Sequence, residues 1–234
     1  ILTSMMLVVH LAASALVAQP QLGRAPQLGR ASRHGPVVSR ELAFRANLEV
    51  ETEPFDVGSK PVADWFCQEE ALRILMSAAE STRRVDGGGD AAVTQRWEVS
   101  TPIQFPGMVA RSETPMDFKV DKEAPRLEVT SGESKTVCEG GPQWAQGLLA
   151  RMGELATTTS SNVVELVDAP GGQKRCVQKV SLTVLLNIPG LLLPPFVPAG
   201  PFEKTGSASV QKLLDDDIPL VLGRFRDGYC AWAK

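Results

Sequence analysis

Histidine is nearly absent from this sequence of 234 residues, which contains only His10 and His34. Both lie within the first 40 residues, so the remaining chain has no imidazole. This part of the chain therefore lacks the histidine that several chemistries need. They are Ser-His-Asp and Cys-His nucleophile activation, general-base catalysis by histidine and metal ligation by histidine. This absence favours a protein that is not an enzyme.

Signs of a bound metal or nucleotide are also missing. No two cysteines form a Cys-x-x-Cys pair, so we expect reduced, buried thiols and no zinc site. The glycines at 87–89 lack the Lys-Ser/Thr that follows in a phosphate-binding loop and predict a hairpin turn instead. The aspartates at 215–217 would point about 100° apart on a helix, which favours a solvated acidic face over a metal site. We therefore predict no cofactor. The four cysteines are Cys67, Cys138, Cys176 and Cys230.

An excess of positive charge is absent too, because the net charge is −3. Residues 1–40 contain four arginines and no acid, so the rest of the chain carries all 27 acidic residues. Such a chain has no overall positive field with which to hold nucleic acid or an anionic membrane. No apolar run after residue 40 reaches the length of a membrane span, and we expect no transmembrane segment in the mature protein.

The first 40 residues have the composition of a targeting sequence. Met5 to Ala18 form an apolar run of signal-peptide length, and Ala13 to Ala15 fit a cleavage pattern of small residues. Residues 19–40 are arginine-bearing and acid-free, as in a transit peptide. We predict a signal-peptide-like segment at 1–18, a transit-peptide-like disordered segment at 19–40 and a folded domain at 41–234. This order resembles the bipartite presequence of algae with secondary plastids and implies the plastid (chloroplast) stroma. A secretory signal followed by a linker is the alternative.

Alternating apolar residues predict an antiparallel sheet in the middle of the chain. Turn residues at 131–133 predict a hairpin between 126–130 and 135–139, and those at 168–172 a second one. Residues 62–80 favour one helix, or a pair broken near Gln68. The predicted strands are 41–50, 93–99, 116–120, 126–130, 135–139, 163–167 and 175–186.

The C-terminal third predicts one long amphipathic helix over 206–232. Apolar residues recur there at steps of three and four, Thr205 can cap the start, and Pro219 predicts a bend near Asp215 or Asp216. The segment from Ile188 to Pro198 is too rich in proline for a helix and predicts an apolar loop. The predicted order of elements is a strand, a helix, a curved antiparallel sheet and a long C-terminal helix. This is the order of the α+β helix-grip fold, which we therefore predict.

Several short motifs carry a family resemblance. The end of this sequence resembles the C-terminal part of an uncharacterised domain family of cyanobacteria and plastids. The resemblance rests on the strand at 180–184, the prolines after it, Thr205-Gly206 and the last residues at 227–232. That family is similar to the START-like (SRPBCC) superfamily, in which the sheet wraps around the last helix. Gly228 departs from the family pattern, which has a better helix former there. The quoted prolines are Pro189, Pro194 and Pro195.

The resemblance implies a non-enzymatic plastid protein that binds an apolar small molecule, a lipid or a pigment, between the sheet and the last helix. The alternative is an assembly or scaffold factor for a thylakoid complex, acting through the apolar loop at 188–197. An enzyme using Tyr229, Lys179 or paired carboxylates is the third hypothesis. The residues predicted to line a ligand pocket are Leu182, Val184, Leu214, Ile218, Val221 and Phe225.

Overall fold

The protein consists of one large antiparallel sheet and a long C-terminal helix. The structure is a computed structural model, and it describes residues 39–77, 79–85, 94–105, 108–141, 143, 146–147, 155–189 and 198–234. The helices are α1 (Val62–Phe66), α2 (Glu69–Leu75) and α3 (Ala199–Trp232). The strands are β1 (Ser39–Glu51), β2 (Ser81–Arg84), β3 (Thr94–Phe105), β4 (Met108–Asp121), β5 (Arg126–Ser131), β6 (Lys135–Gly140), β7 (Ala156–Asp168) and β8 (Lys174–Pro189).

The sheet follows the order β1-β8-β7-β5-β4-β3-β2, and every pair within it is antiparallel. Strand β6 lies off this path and pairs with β4. A 3₁₀ turn at Pro170–Gly172 joins β7 to β8. The predicted α+β helix-grip class, with an antiparallel sheet and a long C-terminal helix, is therefore confirmed.

Alternation along the strands gives the sheet an inner face, which packs against the helices, and an outer face. In β8, Val180, Leu182 and Val184 are buried on the inner face, whereas Lys179 and Ser181 are exposed on the outer face. Successive side chains of a strand point to opposite faces, so the register of β8 fixes the inner positions of its neighbours β1 and β7.

The 34 residues of α3 extend over about 51 Å and bury one stripe of side chains. This stripe joins two apolar clusters. The N-terminal cluster contains Val210, Leu214 and Ile218 of the helix together with inner-face residues of β1 and β8. The C-terminal cluster contains Leu222, Phe225 and Tyr229, the helices α1 and α2, and inner-face residues mainly of β3, β4 and β5.

Side chains of α3 also cover the free edge of β1. The backbone N–H groups of Ala43, Arg45 and Asn47 donate to the side-chain oxygens of Glu203 (2.9 Å), Ser207 (3.0 Å) and Gln211 (3.1 Å), in that order. Two residues of a strand advance about 6.8 Å, and four residues of a helix advance about 6 Å. Every second N–H of β1 therefore meets every fourth side chain of α3. The helix therefore protects a strand edge that would otherwise be open to pairing with another chain.

Two of the sequence expectations about pairing and boundaries are wrong. Strands β5 and β6 do not form a hairpin with each other, because β5 pairs with Met116–Asp121 and β6 with Met108–Glu113, end to end along β4. The helix begins at Ala199 rather than at 206, so Thr205 lies inside it and its carbonyl accepts a bond from Ser209 Oγ.

Other expectations are confirmed or lie outside the described residues. The break near Gln68 is confirmed, since α1 and α2 lie on either side of it. Pro219 lies within one continuous helix, and the bend stays a prediction. Of the proposed loop at 188–197, the first two residues end β8, and 190–197 lie outside the described residues, as does the glycine turn at 87–89. No helix in the described segments is long and apolar enough to cross a membrane.

Candidate functional site

A row of uncharged polar side chains crosses the inner face of the sheet between the two apolar clusters. It extends over β3, β4, β5, β7 and β8, and we call it the polar band. Its most enclosed members expose between 0% and 5% of their surface. The band consists of Thr101, Ser112, Thr114, Ser131, Ser160, Asn162 and Gln178.

Strand register places these polar groups inside. Gln178 lies two residues from both Cys176 and Val180, which are buried, so the alternation of β8 directs it inward. In the β7–β8 pairing, Asn162 is opposite Val180 and Gln178 is opposite Val164, which puts the two amides diagonally next to each other. The neighbouring strands thus bring polar side chains together although the band has no local sequence motif.

Hydrogen bonds connect much of the band. Gln178 Nε2 donates to Asn162 Oδ1 at 2.9 Å, and the hydroxyls of Ser131 and Ser160 are 2.7 Å apart. The hydroxyl of Thr114 lies 3.3 Å from that of Ser112 and 2.7 Å from that of Ser134. These bonds hold the side chains in fixed positions, as a binding surface requires.

Two oxygens of the band have no hydrogen-bond partner in the part of the chain that the structure describes. They are Gln178 Oε1 and Thr101 Oγ1, on residues that are 1% and 3% exposed. A buried polar atom without a partner costs on the order of 1–3 kcal/mol. Both atoms can accept a hydrogen bond, so a molecule with a hydroxyl or amide donor would remove this cost.

Around the polar band, the inner face of the sheet is uncharged. Across the paired strands, the inner positions of 42–50, 95–101, 112–120 and 176–186 carry apolar, hydroxyl or amide side chains only, and so do those of β5 and of Ala156 to Leu166 in β7. On the outer face, by contrast, Arg96 Nε contacts Asp117 Oδ1 at 2.6 Å. That hydrogen bond holds the pKa of the Asp117 carboxyl below its usual value. An ionic group at the polar band would lack such a partner at the surrounding inner positions.

The structure brings together four of the six residues predicted to line a pocket. Leu182, Val184, Leu214 and Ile218 all belong to the N-terminal cluster, beside the polar band. Phe225 belongs to the C-terminal cluster, and Val221 is half-buried on the helix. Their contact with a ligand stays a prediction.

The residues named for an enzyme lie on opposite sides of the molecule. The hydroxyl of Tyr229 donates to the carbonyl of Lys60 at 2.8 Å and accepts from the N–H of Gly58 at 3.1 Å, and burial raises its pKa. Lys179 is on the outer face, 3.5 Å from Glu165 Oε2. The structure therefore does not combine Tyr229 and Lys179 into one site.

All four cysteines are free thiols, and Cys176 is the most enclosed of them. Burial raises the pKa of the Cys176 thiol to about 12. It is therefore protonated at neutral pH and behaves as a small apolar group, because the thiolate is the reactive form.

The polar band is not predicted from the sequence, because apolar alternation marks only the apolar positions of a strand. A signal was present for Gln178, which occupies a position that the alternation of 175–186 assigns to the interior, whereas Asn162 precedes the predicted strand at 163–167. The partners of Thr101 and Ser112 could not be inferred in this way, since they depend on which strands pair.

Comparisons with known proteins give only distant structural similarities. No family model and no curated protein matches the chain. The protein TTHA0849 from Thermus thermophilus is 15% identical, with a TM-score of 0.42, over 82% of this chain and 99% of that one. The Zhui aromatase/cyclase from Streptomyces sp. R1128 is 10% identical, with a TM-score of 0.41, over 79% and 94%. Norcoclaurine synthase from Thalictrum flavum is 18% identical, with a TM-score of 0.32, over 82% and 99%. These values are too low to support a ligand or an activity.

Proposed function

We propose that the protein is a non-enzymatic binding protein for a neutral, largely apolar molecule that carries a hydroxyl group. The molecule, a lipid or a pigment, would lie against the inner face of the sheet beside the N-terminal half of α3. Its apolar part would contact Leu182 and Val184, and its hydroxyl would donate to the polar band. We also propose that the domain is START-like and acts in the plastid stroma, as the sequence motifs and the first 40 residues suggest.

The polar band is the observation that supports this proposal. A sheet that served only as a core would be expected to carry apolar side chains at these inner positions, as the strands do within both clusters. Instead, the band contains hydrogen-bonded hydroxyls and amides with two acceptors to spare. Buried polar groups without partners in a folded protein call for an explanation, and a ligand that donates to them supplies one.

Partial exposure of one end of the inner face also supports a ligand there. Along β7, Ala156, Thr158 and Ser160 are half-buried, whereas Asn162 and Val164 further along the same face are enclosed. This gradient gives a molecule a direction in which to approach Asn162 and Gln178. Ligand sites typically combine an apolar lining with a few placed polar groups in this manner.

A double substitution in the full chain tests the proposal. Asn162→Leu with Gln178→Met removes both partners of the buried amide pair and keeps the side-chain volumes similar, so stability should change little. The matched control, Ser161→Ala with Lys179→Met, changes the outer face of the same two strands. Binding is followed by the fluorescence of 2-naphthol, which is neutral and has a hydroxyl donor, and of 2-naphthoate, which has a similar ring system and a negative charge.

We expect 2-naphthol to bind the wild type and the outer-face control equally, and the double variant about tenfold more weakly. We expect the double substitution to leave the binding of 2-naphthoate unchanged, because the inner positions around the polar band carry no cation that would hold the carboxylate there. Equal binding of 2-naphthol to the folded double variant and to the wild type would contradict the proposal.

A further inference from the structure

A concave feature lies at the end of the molecule where α3 ends. It is a cleft of about 630 Å³, within the usual range for sites that bind small molecules. The segment before α1, strand β2, the turn after β4 and the last turn of α3 all contribute to it. Its lining includes Lys60, Asp64, Arg84, Gln95, Lys122 and Trp232.

Three of these side chains are cationic and one is a carboxylate. Lys60, Arg84 and Lys122 come from three separate parts of the sequence, and Lys122 Nζ lies 3.2 Å from Asp64 Oδ1. The cleft is therefore positive in a chain whose net charge is −3. A concave surface of one sign raises the local concentration of ions of the opposite sign, so this cleft favours anions.

Hydrogen bonds hold one wall of the cleft in place. Lys60 Nζ donates to the carbonyl of Trp232 at 2.7 Å and lies 4.6 Å from the centre of its ring. The backbone next to it is fixed by Ser59, whose N–H and hydroxyl both donate to the carbonyl of Ala233. The ammonium of Lys60 is therefore positioned before any ligand arrives, which lowers the entropy cost of binding.

The floor of the cleft contains an acceptor that lacks a donor. Gln95 is 4% exposed, and its Nε2 donates to the carbonyl of Cys67 at 2.8 Å. That bond fixes the amide orientation and leaves Oε1 without a partner among the described residues. A ligand suited to this cleft therefore combines negative oxygens for the cations with one hydrogen-bond donor for Gln95.

We propose that this cleft binds a protonated phosphate group, either free phosphate or the headgroup of phosphatidic acid. Phosphate at neutral pH has negative oxygens for Lys60, Arg84 and Lys122 and a P–OH donor for Gln95. Sulfate has the same shape and no proton. The cleft should therefore prefer phosphate to sulfate, and this inference is independent of the proposed ligand on the inner face.

The test compares sodium phosphate with sodium sulfate by isothermal titration calorimetry on the full chain at pH 7 and constant ionic strength. We expect phosphate to bind at least about fivefold more tightly than sulfate. Gln95→Met should remove this preference, and Arg84→Gln should weaken both anions about fivefold. Lys119→Met, on the exposed outer face of β4, is the matched control and should change neither. Thermal unfolding verifies that each variant is folded.

Vesicles of phosphatidylcholine with and without phosphatidic acid distinguish the two sources. Sedimentation with the phosphatidic acid vesicles, lost in Arg84→Gln, would assign the site to the lipid headgroup, and binding of soluble phosphate alone would assign it to free phosphate. Absence of binding to either, or equal binding of phosphate and sulfate by the wild type, would overturn the proposal.

Discussion

The two halves of α3 are attached to the sheet in different ways. In the C-terminal half, Phe225 lies 5.9 Å from Trp65 and 5.5 Å from Phe66, ring centre to ring centre, within the largest apolar cluster. In the N-terminal half, mostly aliphatic side chains contact β1 and β8, and three polar side chains bind the edge of β1. The C-terminal half thus builds the core, and the N-terminal half closes the edge of the sheet next to the polar band.

Leu214→Asp should have the largest effect on this arrangement. Leu214 has no exposed surface, so the substitution would bury a carboxylate among apolar side chains and unfold the chain. Circular dichroism of the full chain during heating measures the loss of folded structure. Leu213→Asp, at a half-buried neighbour, is the control and should remain folded. A Leu214→Asp protein that melts within about a degree of the wild type would show that the N-terminal half does not pack as described.

Phe225→Ala should have the second-largest effect on stability, because it leaves a cavity at the centre of the aromatic group in the C-terminal half. We expect it to reduce the free energy of unfolding by about 3–5 kcal/mol. Leu220→Ala is the control on the same helix, since Leu220 is 62% exposed, and it should change stability by less than about 0.5 kcal/mol. Urea denaturation gives the free energy of unfolding of both variants. A similar decrease in the two would contradict the placement of Phe225 in the C-terminal cluster.

Two glycines of the C-terminal half should respond with opposite signs. A Cβ at position 228 would lie 2.8 Å from Trp65 Cζ2 and 3.0 Å from Ile74 Cδ1, so Gly228→Ala should destabilise by about 1–3 kcal/mol. A Cβ at position 223 would meet no atom within 4 Å, so Gly223→Ala should stabilise by up to about 1 kcal/mol through helix propensity. Thermal unfolding distinguishes them, and a gain in stability from Gly228→Ala would exclude the close contact with Trp65.

Gln211→Ala should have the smallest effect, restricted to the edge of β1. It removes the acceptor for the N–H of Asn47 and should cost about 0.5–1.5 kcal/mol. Hydrogen exchange at the amide of Asn47 should accelerate, whereas the exposed neighbour substitution Lys212→Ala should leave it unchanged. Unchanged exchange in Gln211→Ala would mean that the helix does not protect this edge.

The elements with regular alternation could be predicted from the sequence, and the pairing between them could not. Strand β8, the second half of β7 and the buried stripe of α3 follow from apolar periodicity, whereas residues 156–162 of β7 lack it and were not predicted. The hairpin between β5 and β6 was wrong because a short turn does not determine whether two strands pair with each other or with a third. The start of α3 was missed because Gly200, Pro201 and Gly206 are poor helix formers, and packing overrides this preference. A Cβ at position 206 would collide with the ring of Phe44, which explains why this position is a glycine.

The candidate site was predictable in its apolar half only. Leu182, Val184, Leu214 and Ile218 follow from periodicity, and the structure places them in one cluster. Gln178 could have been recognised as a polar residue at an interior position of its strand, whereas Asn162 lies just before the predicted strand at 163–167. Thr101 and Ser112 become neighbours only through the pairing of β3 with β4. Gly228 is explained by Trp65, which no local motif places against the helix.

Native mass spectrometry of the full chain, isolated from a plastid-containing host, tests the central claim most directly. We predict one neutral, hydroxyl-bearing molecule per chain in the wild type and in the outer-face control Ser161→Ala with Lys179→Met. We predict its loss from the folded Asn162→Leu with Gln178→Met variant. An empty wild-type protein, or a ligand retained equally by that variant, would contradict the assignment of the inner face as a binding site.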